Sequence, residues 1–240
     1  MKSKIALIPL IVAVVILSYI VLVPGVPQEQ LVGTPAEIAE NIVRQYHETH
    51  VYSEYDLFVC SDMALDVWNM LKAQGINSLI QIGNVEEGVQ DISEANHAWV
   101  LAETSPGEYL ALETTSGYAV RDNPLYYQGW SFHSPRKFKR YVELRHEYNM
   151  RVDLVERYAT AHDLLLDTYV DLVSEYEQSY NRLAGTSCAD PSLGYRLSEA
   201  IEMGMEVGTC AGKMEQLREL IAEESRRLEN IVHEMNGLFG

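Results

Sequence analysis

The feature of the sequence that most restricts its fold is a long region without helix breakers in the second half of the chain. From Pro135 to Leu183 no residue interrupts a helix, and apolar residues recur at alternating steps of four and three. A segment with Gly, Asp and Pro spans 185–192, and a second apolar series begins at Leu193. Two helices of roughly 45 to 50 residues joined by so short a turn must run antiparallel. We therefore predict an antiparallel, coiled-coil-like helical hairpin over residues 135–240.

The two apolar series indicate which residues should lie between these helices. On the first helix they are Val155, Ala159, His162, Leu166, Tyr169, Val173, Tyr176, Tyr180 and Leu183. On the second they are Leu193, Leu197, Ala200, Gly204, Val207, Ala211 and Met214, followed less regularly by Ile221, Leu228, Val232 and Met235. We expect His162 to pack in the series or to set the register of the helices, not to bind a ligand.

The N-terminus carries a second distinctive feature, an apolar stretch over residues 5–23 interrupted only by Pro9 and Ser18. At about 1.5 Å per residue, a helix of this length nearly crosses a hydrocarbon core of about 30 Å. Lys2 and Lys4 precede it, and basic residues favour the cytoplasmic side. We expect residues 1–24 to be a single-pass transmembrane anchor that places the remaining chain on the extracytoplasmic side. A cleavable signal peptide is the alternative, and it also exports the chain.

A globular domain is predicted between the anchor and the hairpin. Residues 25–33 contain Pro and Gly and form a predicted linker. Thr34, Pro35 and Glu37 then match a helix start, with Thr34 as the cap and Glu37 reaching back to it. We assign this domain to residues 34–134.

One predicted helix and three predicted strands occupy the centre of this domain. The helix begins at Cys60, continues with apolar residues at helical spacing, and ends before Gly75. The strands at 77–83, 97–102 and 109–114 are rich in β-branched and aromatic residues, and a Thr-Ser-Pro-Gly turn joins the last two. This order predicts an α+β fold with an antiparallel sheet.

Three residues in these elements have side chains suited to nucleophilic catalysis. Cys60 opens the helix, and a helix N-terminus favours the thiolate form of a cysteine. His97 opens one strand and can accept the thiol proton, while Glu113 ends the neighbouring strand and can orient the imidazole. Facing ends of adjacent antiparallel strands are neighbours, so we expect His97 and Glu113 to touch.

These residues resemble the transglutaminase-like superfamily. The resemblance rests on a Cys at a helix start, His-Ala-Trp-Val at 97–100, and an aromatic strand that ends in Glu-Thr-Thr at 113–115. It covers roughly residues 35–133. It implies a papain-like core with Cys60 as nucleophile, His97 as base and Glu113 as the orienting acid. The family usually has Asp as the third residue and often a small residue where Asp62 stands here.

Other residues near the predicted triad have open roles. Papain-like sites often have a polar residue upstream of the nucleophile that helps to bind the oxyanion; Tyr55 is the candidate, together with the backbone N–H of Cys60. Trp99 is a further candidate for contact with the oxyanion or substrate, and either aromatic could pack in the core instead. Five more aromatics could line a binding groove or cover the sheet: Tyr118, Tyr126, Tyr127, Trp130 and Phe132.

The net charge of the chain and the motifs that it lacks limit the ligands and partners that we expect it to bind. The chain has 18 Lys and Arg against 35 Asp and Glu, a net charge of −17, so we expect no binding to nucleic acid. It lacks a CxxC pair, an HExxH sequence and a glycine-rich phosphate loop, so no metal or cofactor is expected. Cys188 and Cys210 can form a disulfide only if the second helix is broken, because bonded cysteines need Cα atoms within about 7 Å.

Two functions from different classes follow from these features. The preferred one is a membrane-anchored, extracytoplasmic thiol enzyme that acts on peptide or isopeptide amide bonds of a protein or peptide substrate through a thioester. The alternative is a catalytically silent transglutaminase-like scaffold that serves as a cell-surface interaction module through its hairpin. Self-association through the hairpin, or its use as a lid over the cleft, is a third hypothesis.

Overall fold

The structure is a computed structural model that describes residues 31–50 and 59–239. These residues form an α+β protein with long helices and one antiparallel sheet, as the sequence predicts. The sheet has five strands, whereas the sequence indicated only the three over residues 77–83, 97–102 and 109–114. They divide into two compact units, one of residues 31–50, 59–88 and 96–133, the other of residues 89–95 and 134–239. The anchor predicted over residues 1–24 lies outside the described part of the chain. None of the described helices has the length and apolar character needed to span a membrane.

The first unit contains two helices and the sheet. The helices are α1 (Pro35–Thr49) and α2 (Cys60–Ala73). The strands are β1 (Ser78–Gly83), β2 (His97–Ser105), β3 (Glu108–Glu113), β4 (Tyr118–Val120) and β5 (Trp130–Phe132). They lie in the order β4-β3-β2-β1-β5, with every neighbouring pair antiparallel. A short 3-10 helix, Pro124–Tyr127, precedes β5.

The helix boundaries in this unit follow the local signals in the sequence. The Thr34 side chain accepts the backbone N–H of Glu37, and the Glu37 carboxylate accepts that of Thr34 at 2.8 Å, so the predicted capping box is confirmed. At the end of α2, Gly75 takes a φ of 78° and Ile76 donates to the carbonyl of Leu71 at 3.0 Å. This left-handed residue ends the helix and turns the chain into β1.

Both faces of the sheet are buried. On one face, Trp99 and Leu101 of β2 pack with Ala111, Val120 and Tyr126 in an apolar cluster. Alternate residues of β2 point to the other face and are also buried. The helices α1 and α2 pack against β2 and bury one side of each helix there. The sheet therefore holds the ends of β2 and β3 in a rigid frame.

The turn after β3 depends on a glycine. Gly117 has a φ of 76°, and a Cβ at this position would lie 2.5 Å from the Cβ of His47 in α1. Its N–H donates to the carbonyl of Glu113 at 2.9 Å. A residue without a side chain is thus needed both for the backbone angle and for the close approach to α1. This contact fixes the end of the strand that carries Glu113.

The second unit is the predicted helical hairpin with a short 3-10 helix, Ile92–Glu94. Its helices are α3 (Pro135–Ala184, 50 residues) and α4 (Leu193–Gly237, 45 residues). Ion pairs between the start of α3 and the end of α4 show that the helices are antiparallel: Arg140 with Glu234 at 2.7 Å and Arg151 with Glu224 at 2.6 Å. Arg145 also donates to the carbonyl of Ser93, which ties the 3-10 helix to α3.

Most of the predicted seam residues are correct. Seven of the nine positions predicted on α3 are at least partly buried, among them His162, Tyr169 and Val173. The other two are shifted by one residue. Leu166 and Tyr180 are 40% and 55% exposed, whereas the preceding residue, Leu165 or Ser179, is more buried in each case. In α4 the same shift exposes Leu197 and Ala211 and buries Cys210.

The sequence left open the role of His162 and the bonding of the two hairpin cysteines, Cys188 and Cys210. His162 accepts a hydrogen bond from Arg218 of α4 at 3.2 Å, so it contributes to the register of the helices. Cys60, Cys188 and Cys210 are all free thiols. The helix α4 is continuous from Leu193 to Gly237, and the break that a disulfide would need is absent from it.

Candidate active site

Cys60 is the first residue of α2, as the sequence predicts, and its side chain is partly buried. The preceding residue, Val59, has no side-chain atom that can cap the helix. Its carbonyl accepts the N–H groups of Asp62 and Met63 at 3.0 and 3.1 Å, and no side chain in the described part of the chain caps the N–H groups of Cys60 and Ser61. Backbone donors of this kind beside a thiol are suited to hold a developing oxyanion.

Asp62 occupies the place where the resembled family often has a small residue. Its side chain is exposed, and its carboxylate accepts the backbone N–H of Val59 at 3.2 Å. Asp62 therefore caps the start of α2 while its carboxylate remains exposed to solvent. A negative charge at a helix N-terminus stabilises the helix.

His97 and Glu113 form an ion pair in the first unit. His97 Nε2 lies 2.7 Å from Glu113 Oε2, with the two side chains only 19% and 4% exposed. The register of β2 and β3 explains the contact. Val100 pairs with Leu112, so continuation of the ladder places Trp99 opposite Glu113, and His97 follows on the same face. The glutamate, although one methylene longer than an aspartate, reaches the imidazole directly.

Glu113 is held by three donors besides His97. The N–H and the hydroxyl of Thr115 donate to Oε1 at 3.0 and 2.5 Å, and the Tyr126 hydroxyl donates to Oε2 at 2.8 Å. Burial opposes the charge, but the hydrogen bond and positive charge of His97, with the Thr115 and Tyr126 bonds, lower the pKa of Glu113 to about 2. The carboxylate thus stays ionised at neutral pH, and both of its oxygens are fixed.

His97 has partners on both sides of its ring. Burial alone would favour the neutral ring, but hydrogen bonds to the Cys60 side chain and to Glu113, together with the Glu113 charge, raise the pKa of His97 to about 10. Because Nε2 faces Glu113, Nδ1 is the nitrogen left for the Cys60 sulfur. The thiol, the imidazole and the carboxylate predicted from the sequence therefore come together.

Trp99 lies behind the histidine. Its side chain is fully buried, its ring stacks on that of His97 with centroids 5.8 Å apart, and its Nε1 donates to the carbonyl of Tyr126 at 2.9 Å. The Trp99 ring therefore supports the imidazole from the interior, and a contact between Trp99 and substrate stays a prediction. The other expected contact, Tyr55, lies outside the described residues.

Two residues that hold Glu113 were not identified as site residues from the sequence. Tyr126 stood among aromatics that could line a groove or cover the sheet, and the structure buries it in the cluster with Trp99. Burial and the bond to Glu113 raise the pKa of its hydroxyl, which therefore remains a donor. Thr115 belonged to the Glu-Thr-Thr segment of the resemblance, but only its position two residues after Glu113 hinted at a hydrogen bond.

Comparisons with known proteins identify no relative of this chain. The chain matches no protein-family model, no curated protein and no solved structure. Among the residues that the structure describes, no group of three or more His, Cys, Asp or Glu side chains is placed to hold a metal ion. Interpretation of the site therefore depends on its own geometry.

Proposed function

We propose that this protein is a thiol enzyme of the transglutaminase-like type, with a papain-like core, that acts on peptide or isopeptide amide bonds through a Cys60 thioester. The observation that carries the proposal is the Cys60–His97–Glu113 array, in which His97 contacts the sulfur on one side and a carboxylate at 2.7 Å on the other. A structural histidine needs neither a thiol at a helix start nor a carboxylate fixed by three further donors.

The first half of the reaction uses the doubly protonated His97. One ring N–H is directed to Glu113 and the other to the Cys60 side chain, and the nucleophilic form of a cysteine is its thiolate. The sulfur attacks the carbonyl carbon of the substrate amide, and the N–H groups of Cys60 and Ser61 bind the oxyanion that forms. His97 then donates its proton to the leaving amine as the C–N bond breaks, which leaves the acyl group on sulfur as a thioester.

The second half resolves the thioester. His97, now neutral, accepts a proton from a water molecule or an incoming amine that attacks the thioester carbonyl. The C–S bond breaks, and the thiolate–imidazolium pair re-forms. Glu113 keeps the ring in one orientation throughout, since Thr115 and Tyr126 hold its carboxylate in place. Water gives hydrolysis and an amine gives transfer.

The test compares the reactivity of cysteines within one molecule. Cys60 is partly buried, whereas Cys188 is exposed, so accessibility alone would make Cys188 the faster thiol. With limiting iodoacetamide at pH 7, we expect peptide mass spectrometry to show at least tenfold faster alkylation of Cys60, because only this thiol has an imidazolium partner. His97→Ala should reverse the order.

Two controls decide the outcome. Cys188→Ser should leave the labelling rate of Cys60 unchanged, and Cys60→Ser should remove the fast phase. A Cys60→Ser variant that reacts as fast as the unmodified chain would exclude a poised nucleophile. An acyl adduct on Cys60, detected by intact mass after incubation with peptide substrates and acid quenching, would support the thioester directly.

A second candidate function is favoured by the hairpin. Several large apolar side chains of α3 and α4 are more than half exposed, among them Val170, Ile201 and Met205. Such exposure is typical of an interaction surface. In this alternative the first unit is a silent scaffold that is attached through residues 1–24 to the membrane, on its extracytoplasmic side. A Cys60 thiol that is alkylated no faster than Cys188 would favour it.

A further inference from the structure

The half of the hairpin next to its turn has an apolar surface that no other described residue covers. Five large apolar side chains there are between 40% and 58% exposed. They are Leu166, Val170 and Tyr180 of α3 and Leu197 and Ile201 of α4. We call these five residues the apolar face. They follow from the shift in the seam, because Leu166, Tyr180 and Leu197 carry the apolar pattern but lie beside the helix contact.

The five residues lie on one side of the helix pair. In antiparallel pairing, positions that flank the seam on one helix face the equivalent positions on the other. Thr168, Met205, Glu206 and Lys213 line the groove on the other side of the pair. Leu166 and Leu197 occupy the flanking positions of the opposite side. The apolar face is therefore continuous across α3 and α4.

The size of the face suits a helix. Residues 166–180 extend about 21 Å at 1.5 Å per residue, which is about four helical turns. Gly208 lies along α4 two turns after Ile201, and a Cβ at Gly208 would meet no atom within 4 Å. The surface is therefore shallow along α4, so that a third helix can approach both α3 and α4 and bury apolar side chains against them.

The charge around the face determines which partner fits. Residues 158–212 include nine acidic residues and two basic ones, Arg182 and Arg196. Asp167 and Glu177 border the face on α3, are exposed, and have no ion pair with any residue that the structure describes. A second copy of this chain, with its net charge of −17, would bring like charges together. A cationic helix would instead pair with these carboxylates.

We propose that the apolar face binds an amphipathic helix of a partner protein whose apolar side is flanked by Lys or Arg. The apolar side of that helix packs on Val170, Leu197 and Ile201, and its basic residues meet Asp167 and Glu177. This interaction does not depend on the chemistry of Cys60.

The test is a titration of the 240-residue chain with a fluorescent synthetic peptide of about 18 residues, in which leucines form one side of a helix and lysines the rest. Fluorescence anisotropy should show saturable one-to-one binding. A peptide of the same pattern with glutamate in place of lysine should bind at least tenfold more weakly. Ile201→Lys should weaken binding of the lysine peptide at least tenfold. Circular dichroism should show unchanged helix content in each variant.

Two further variants separate the contribution of apolar packing from the contribution of charge. Leu164→Lys introduces the same charge on α3, at a side chain that is 69% exposed and points away from the apolar face, and should change affinity less than threefold. Asp167→Lys should weaken binding severalfold at low salt, and the difference should disappear at about 1 M salt, where charges are screened beyond about 3 Å.

Three results would overturn the proposal. The first is equal affinity of Ile201→Lys and Leu164→Lys for the lysine peptide, which would mean that attraction is non-specific. The second is equal binding of the lysine and glutamate peptides. The third is a dimer of the chain alone in sedimentation velocity that Ile201→Lys dissociates, because the face would then belong to a second copy.

Discussion

Replacement of Glu113 by glutamine tests the electrostatic basis of the site. The change keeps the size of the side chain and an acceptor oxygen but removes the charge beside His97, whose Nε2 lies 2.7 Å from the carboxylate. The raised pKa of His97 depends on hydrogen bonds to Cys60 and Glu113 that outweigh its burial. Loss of the carboxylate charge should therefore lower the pKa of His97.

The size of the shift follows from Coulomb's law. The charges are spread over two oxygens and two nitrogens, so their centres are about 4 Å apart, and an effective dielectric constant of about 20 gives about 4 kcal/mol. At 1.36 kcal/mol per pKa unit this corresponds to about three units. In Glu113→Gln, His97 should therefore titrate between about pH 6 and 8 instead of near 10.

The assay is an NMR titration of the histidine ring. His97 in the unmodified protein should keep the chemical shift of the protonated ring from pH 5 to 9, and Glu113→Gln should show a midpoint within that range. Glu108→Gln at the exposed start of β3 removes the same charge and should leave His97 unchanged. A midpoint near the ordinary 6.5 in the unmodified protein, or a shift below one unit in Glu113→Gln, would refute the reasoning.

The same pair predicts how stability depends on pH. The folded-state pKa of His97 is raised, so its contribution is complete below about pH 6.5 and is lost as pH rises toward 10. The pKa of Glu113 is lowered, so its contribution is complete above about pH 4.5 and is lost as pH falls toward 2. The loss of unfolding free energy in Glu113→Gln should be largest between these limits, at about 3–5 kcal/mol.

Two other substitutions test the supports of this carboxylate by urea unfolding. Tyr126→Phe removes a hydrogen bond to the charged Glu113 and should cost about 1.5–3 kcal/mol at pH 7, with the cost declining as the carboxyl group is protonated. The neighbouring Tyr127→Phe removes two bonds to uncharged backbone groups, one donated to the Val120 carbonyl and one accepted from the Ala111 N–H. Its cost should be about 1–3 kcal/mol and independent of pH, and equal pH profiles for the two variants would contradict the assignment. Gly117→Ala combines a positive φ with a clash against α1, whereas Gly107→Ala in the β2–β3 turn has a similar φ and open space. We expect Gly107→Ala to lower the free energy of unfolding by about 1–2 kcal/mol and Gly117→Ala to lower it by at least 1 kcal/mol more. Gly117→Ala should also slow alkylation of the catalytic thiol. Equal losses of stability in the two variants would show that the clash is relieved.

Local patterns were sufficient for the elements that carry the triad. Apolar residues at helical spacing after Cys60 and a glycine at position 75 correctly placed the ends of α2 within one or two residues. Alternating β-branched and aromatic residues identified β2 and β3, and antiparallel pairing then brought His97 next to Glu113. Each of these features is determined by residues close together in the sequence, so the sequence alone is sufficient to predict it.

The hairpin shows where such patterns become ambiguous. In several heptads of α3 two adjacent positions are both apolar, for example Leu165 and Leu166, so steps of four and three can be followed in two ways. Periodicity identified two long antiparallel helices but could not choose between Leu165 and Leu166 for the seam. The packing of α4 against α3 selects Leu165 and leaves Leu166 exposed on the apolar face.

The amino-acid sequence by itself determined the order and type of the four helices and of β1, β2 and β3, the caps that begin α1 and end α2, and the candidates Cys60, His97 and Glu113, because each follows from residues close together in the chain. Only the tertiary structure decided that Trp99 supports His97 from behind and that Tyr126 holds Glu113. Those contacts join segments that meet only when the sheet closes, and their energy depends on exclusion of water from a packed interior, which no local pattern encodes.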